Sequence, residues 1–156
     1  MSVHQDLWIP PDVGEELVLP VGQWWDAVSA EDMVGDRALH LLGHASGAVI
    51  QDDTHGHGRL YWLVEVGTAR SWCLRHTRVL TTLADESTFL TVPPVSWTAG
   101  HSLYWRVPVG PGRYLTDAQR LHEALSQAIS EGRVQAPEGG QWVGEWETCR
   151  GPGGAS

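Results

Sequence analysis

The feature that most constrains this chain is the Pro93-Pro94 pair inside Phe89–Val107, written FLTVPPVSWTAGHSLYWRV. A strand needs its N–H groups for the ladder, and neither proline has one. Phe89-Leu90-Thr91-Val92 is apolar and β-branched, so it predicts a short strand that stops at Pro93. Thr98-Ala99-Gly100 supplies a turn. Leu103-Tyr104-Trp105-Arg106-Val107 predicts a second strand, closed by Pro108. The rest of the chain is expected to pack around this pair.

Upstream, Glu16–Leu19 and Gln23–Val28 predict strands. Ser29-Ala30-Glu31-Asp32 fits a capping box, so a helix is expected from Ser29. Its apolar positions Ala30, Met33, Val34, Ala38, Leu41 and Leu42 follow helical spacing, and Gly43 suits the position after its end. Ala48–Ile50 and Arg59–Val64 predict a hairpin around the polar turn 52–58. Thr68–Trp72 suggests one helical turn, Thr77–Leu80 a short strand, and Thr81–Ser87 an acidic loop. Thr116, with Gln119 three residues on, predicts the cap of a second helix ending at Gly132.

Helix, several strands, helix is the order of an α+β domain: a mainly antiparallel sheet with two principal helices packed on it. Val49, Leu63, Val92 and Tyr104 are expected in one sheet. The expected organisation is an N-terminal arm over 1–22, a single domain over 23–132 and a Gly/Pro-rich tail over 133–156. The tail carries Trp142 and Trp146 and ends in GPGGAS, which is expected to be disordered and dispensable.

The chain has 156 residues, 42% of them hydrophobic, enough for one globular domain. No apolar run approaches the roughly 18 residues that span a bilayer. MSVHQDLWIPPD has neither the basic region nor the apolar core of a signal peptide, which predicts a cytoplasmic protein. Cys73 and Cys149 are far apart and match no disulfide framework or zinc spacing. The net charge is −9, and all ten basic residues are Arg, with no Lys and no Asn, as GC-biased coding produces. So acidic a chain can meet nucleic acid only through a local patch. The nine Trp are expected mainly in core and edge packing.

Several constellations bear on chemistry. Asp52, Asp53, His55 and His57 put two carboxylates and two imidazoles within six residues, a set suited to Mg²⁺, Mn²⁺ or Zn²⁺, or else to a hydrophilic hairpin tip. His40 and His44 have the i, i+4 spacing of helix-borne metal ligands, but no Glu follows His40 and His44 lies beyond Gly43. Ser46 and Ser96 lack a nucleophile-elbow context, and Cys73 has only His76 nearby. Without Lys there is no phosphate loop of the GxxxxGK type.

Three pieces resemble, in order, the primase–polymerase branch of the archaeo-eukaryotic primase superfamily. Ser46-Gly47-Ala48-Val49-Ile50-Gln51-Asp52 is similar to its Ser-Gly, apolar strand and first catalytic Asp. Gly58-Arg59-Leu60-Tyr61-Trp62 is similar to the strand carrying its catalytic His. Thr91–Ser96, Ala99-Gly100 and Tyr104-Trp105 resemble its Pro-Pro-Ser, Ser-Gly and Tyr-x-Trp segment. The resemblance implies acidic ligands for divalent ions that bind a triphosphate and align the attacking hydroxyl. In this chain Asp52 matches the first acid, the second falls on Thr54 with Asp53 displaced by one, the His falls on Arg59, and the third acid falls near Arg78. A one-residue displacement on a strand turns a side chain to the opposite face. The resemblance therefore implies a shortened, degenerate relative.

Two readings of function follow. The first is a non-catalytic module on a primase-like scaffold that recognises a nucleotide, nucleic acid or protein partner. Arg59, Arg78 and Arg75 would serve an anion, and Trp62 or Trp105 would be a stacking wall. The alternative is a divalent-metal-dependent enzyme acting on nucleotides or phosphoesters through Asp52, Asp53, His55 and His57.

Overall fold

The computed structural model describes residues 14–81, 88–110 and 114–135. The elements among them are β1 (Leu17–Pro20), β2 (Asp26–Glu31), α1 (Asp32–Leu42), β3 (Val49–Asp52), β4 (Arg59–Val64), β5 (Thr77–Leu80), β6 (Phe89–Val92), β7 (Leu103–Val107) and α2 (Ala118–Gln135). No helix among the described residues is long and apolar enough to cross a membrane. The tail beyond Gln135 and most of the loop 81–87 lie outside the described residues, as do Trp142 and Trp146.

The chain is α+β, and all described strand pairings are antiparallel. Five strands form one sheet in the order β5-β2-β4-β3-β7, and β1 pairs with β6 in a separate two-stranded sheet. Val49, Leu63 and Tyr104 share the large sheet, but Val92 does not, which corrects the expectation of a single sheet. The prolines supply the reason. After Pro93-Pro94 the chain turns back, and the Trp97 carbonyl accepts from the Trp105 N–H at 2.7 Å. The Trp105 indole donates to the Pro93 carbonyl at 3.0 Å. That edge of β7 is thus taken by the turn segment, leaving β6 to pair with β1, which lies within the stretch expected to be an arm.

Alternation along the strands divides the core into two layers. Val28, Ala30, Val49, Leu60, Trp62 and Val64 face one way and meet Ala38 and Leu42 of α1 and Leu121, Leu125 and Ala128 of α2. Ala27, Ile50, Leu63, Leu103 and Trp105 face the other way and meet Leu90 and Val92 of the small sheet with Val21 and Trp25. The helices thus cover one face of the large sheet and the small sheet covers part of the other. Gly35 lets α1 approach β4 closely: a Cβ there would lie 3.2 Å from that of Leu60.

Both expected caps are corrected. Ser29 lies inside β2, paired with Tyr61 and Arg78, and α1 begins at Asp32 with Glu31 in the cap position and no side-chain cap bond. Six residues of pairing with β4 hold Ser29 in the ladder, which outweighs one capping bond. Thr116 accepts from the Gly47 N–H at 2.8 Å, and Asp117 caps α2 by accepting from the Arg120 N–H at 3.0 Å. α2 also runs past Gly132. Gly43 behaves as expected, with φ of 52° and its N–H on the Leu39 carbonyl. Cys73 takes part in a disulfide, against the expectation of two isolated thiols. The other cysteine in the sequence, Cys149, lies outside the described residues.

Candidate functional site

The part of the large sheet left open by the small sheet carries a polar row. In register, Ser29 of β2 stands between Tyr61 of β4 and Arg78 of β5. Two pairs further along, Arg59 of β4 stands between Glu31 of β2 and Asp52 of β3. Residues directly opposite in a ladder project from the same face. Asp52, Arg59, Tyr61, Ser29, Arg78 and Glu31 therefore lie on one face, away from the helices.

The bonds within this group are uneven. Arg59 Nη2 donates to Ser29 Oγ at 3.2 Å, and the Arg59 charge also acts on the Tyr61 phenol. Neither group is a carboxylate. Asp52 Oδ1 instead accepts from the Thr54 N–H at 2.9 Å and from its hydroxyl at 2.5 Å. Glu31 Oε1 lies 3.2 Å from His76 Nδ1, and the Glu31 N–H donates to the His76 carbonyl at 3.0 Å. His76 has a φ of 62°, unusual for a residue with a Cβ, and this turns the chain into β5. Arg78 is exposed and makes no hydrogen bond or ion pair among the described residues. Burial raises the pKa of Tyr61, the Asp52 carboxylate raises it further, and Arg59 and Arg78 oppose both. The Tyr61 phenol thus stays a neutral hydrogen-bond donor at neutral pH.

The candidate metal residues do not assemble. Among the described residues no three His, Cys, Asp or Glu side chains are grouped so as to hold an ion. Asp53 points to the helix side, where its Oδ1 accepts from Gln51 Nε2 at 2.8 Å and lies beside Gly58 and Asp32. Asp52 points to the other face, so the one-residue displacement separates the two acids. His55 and His57 are exposed in the hairpin turn. His40 is exposed on α1, while His44 sits in a short 3₁₀ turn beyond the helix end.

The aromatic residues are also corrected. Trp62 is 0% exposed on the helix side, with its indole donating to Ser46 Oγ at 3.2 Å. Trp105 is 1% exposed, under the small sheet. Neither presents a face on which a base can stack. Arg75 lies outside the register of the row, ahead of β5. Residue-by-residue reasoning missed Tyr61, Ser29 and Glu31. The two-residue period from Arg59 signals Tyr61, but only strand register brings in Ser29 and Glu31. Comparison with protein-family models, curated proteins and solved structures gives no match.

Proposed function

We propose that this chain is a non-catalytic binding module that takes the phosphate of a nucleotide or nucleic acid on the open sheet face, with Arg59 and Arg78 as its cationic contacts. One observation carries this reading: Arg59 bonds Ser29, Ser29 is the register partner of Arg78, and neither guanidinium has a carboxylate partner among the described residues. Two like charges whose guanidiniums are tied to no carboxylate are unfavourable until an anion joins them, and the planar guanidinium fork suits phosphate. Tyr61 adds a neutral donor beside them. The reading is consistent with the primase-like resemblance in one respect. Three of the four positions where that resemblance calls for functional side chains, those of Asp52, Arg59 and Arg78, share this face, while the off-register Asp53 does not. Asp52 and Glu31 stand on opposite sides of Arg59 and are not a set that holds two divalent ions, so the module binds without transferring nucleotides.

The test is a thermal-shift and calorimetric screen of nucleotides and short oligonucleotides, with and without Mg²⁺, Mn²⁺ and Zn²⁺. A ligand for the native state raises apparent stability. Binding that Arg59→Gln and Arg78→Gln each weaken supports the reading. Absence of any anion binding, or binding indifferent to both substitutions, overturns it.

A further inference from the structure

The same face carries two carboxylates whose positions bear on the shape of the ligand. Asp52 and Glu31 stand on either side of Arg59, each one strand away and directly in register with it. Neighbouring strands lie about 4.8 Å apart, so the cationic centre is bounded on two sides by negative charge within one strand spacing. Neither carboxylate is neutralised by Arg59. Asp52 is held back by Thr54, and Glu31 by His76.

We propose that this face takes a single phosphate monoester between Arg59 and Arg78 and rejects the continuous phosphodiester backbone of a strand; this rests on the anion-binding function above. A monoester dianion matches two guanidiniums in charge and offers oxygens to both forks and to the Tyr61 hydroxyl, while the buried Ser29 holds Arg59 from beneath. Arg78 and Tyr61 flank Ser29 from opposite sides, about 10 Å apart at their Cα atoms, a span that two long side chains can close around one tetrahedral group. A strand places each phosphate beside another, so a neighbour of the bound one approaches Asp52 or Glu31. The net charge of −9 provides no compensating field elsewhere. The acids therefore act as a filter against polyanions.

The experiment measures binding of inorganic phosphate, ribose 5-phosphate, adenosine 5′-monophosphate and a short oligothymidylate lacking terminal phosphates, across a salt series. The first three separate free phosphate, sugar phosphate and nucleotide as sources of the same group. At least one should bind, with a salt dependence shallower than that of a polyanion, which releases condensed counterions on binding. Arg59→Gln and Arg78→Gln should each weaken it about tenfold or more, as loss of a charge-assisted hydrogen bond does. Arg78 is exposed, so its variant tests binding without threatening the fold. The oligothymidylate should bind at least about tenfold more weakly than the best monoester, and the double variant Asp52→Asn, Glu31→Gln should narrow that gap. If the oligothymidylate binds the unaltered protein more tightly, with a steep salt slope lost in Arg59→Gln, the filter is refuted and the anion-binding module stands. A double variant with an unchanged gap also refutes the filter. If no probe binds, both proposals fall.

Discussion

Arg59 and Asp52 are register partners on β4 and β3, yet they do not pair: Arg59 donates to Ser29 Oγ at 3.2 Å, and Asp52 accepts from the Thr54 N–H at 2.9 Å. Each group has a nearer claim on it than the other. The result is a guanidinium turned across the sheet toward the strand that carries Arg78.

Ser29→Ala tests that orientation. It removes the hydroxyl that Arg59 bonds, and the expected cost in urea denaturation is about 1 kcal/mol. Arg59 then turns toward Asp52 or Glu31, so phosphate affinity should fall by more than the loss of one neutral hydroxyl explains. Calorimetric titration giving unchanged affinity would show that Ser29 does not position the guanidinium.

Gly47 and Thr116 join the start of β3 to the approach to α2. A Cβ on Gly47 would lie 2.8 Å from both the Leu115 carbonyl carbon and the Tyr114 carbonyl oxygen. Both contacts are backbone, so Gly47→Ala should destabilise by about 1–3 kcal/mol. Thr116→Val keeps the shape but strips the acceptor from the buried Gly47 N–H, and a similar loss of about 1–3 kcal/mol is expected. Equilibrium denaturation of each variant measures both; a neutral Gly47→Ala would mean that the two segments separate freely.

Trp62 and Trp105 should behave as core residues and not as ligand contacts. Truncating either to Ala should cost about 3–5 kcal/mol. The Phe variants keep most of the packing but lose the indole bonds to Ser46 and Pro93. They should lower stability while leaving phosphate affinity within about twofold of the parent. A selective loss of ligand affinity in Trp62→Phe, with stability intact, would return that residue to the binding face.

Alkaline pH should weaken the fold through two tyrosines. Burial raises the pKa of Tyr114, and burial with the Asp52 carboxylate raises that of Tyr61, both from an ordinary value of 10.0. The folded state then holds protons that the unfolded chain releases. Their contribution is fully present below about pH 10 and is lost as pH rises through the folded values. Phenolate absorbance followed during titration should show late ionisation coincident with unfolding, and Tyr114→Phe should flatten the alkaline loss of stability. Ordinary titration of all tyrosines before unfolding would contradict this.

Primer extension and de novo priming should yield no product with Mg²⁺ or Mn²⁺. Asp52 and Asp53 face opposite sides of the sheet, and Arg78 stands where the resemblance calls for a third acid. Cation repulsion from two arginines opposes filling of any partial site. Product that disappears in Asp52→Ala would reverse this conclusion.

Much of the scaffold was legible before any coordinates. Prolines and turn residues delimit β6 and β7, and apolar and β-branched runs mark β4 and β5; all four ran over the residues their sequence predicted. The opposite facing of Asp52 and Asp53 follows from the two-residue period of a strand. These are local properties, set by which backbone groups can donate and which side chains alternate. The caps failed because a local capping bond competes with long-range pairing, and Ser29 and Thr116 were taken by β4 and Gly47 instead. Splitting of the sheet, burial of Trp62 and Trp105, and the placing of Arg59, Ser29 and Arg78 on one face depend on register between segments tens of residues apart. No local pattern encodes that register. It comes from burying both faces of one sheet at once, beneath two helices on one side and the β1–β6 pair on part of the other, which leaves open the part of the face that carries Arg59 and Arg78.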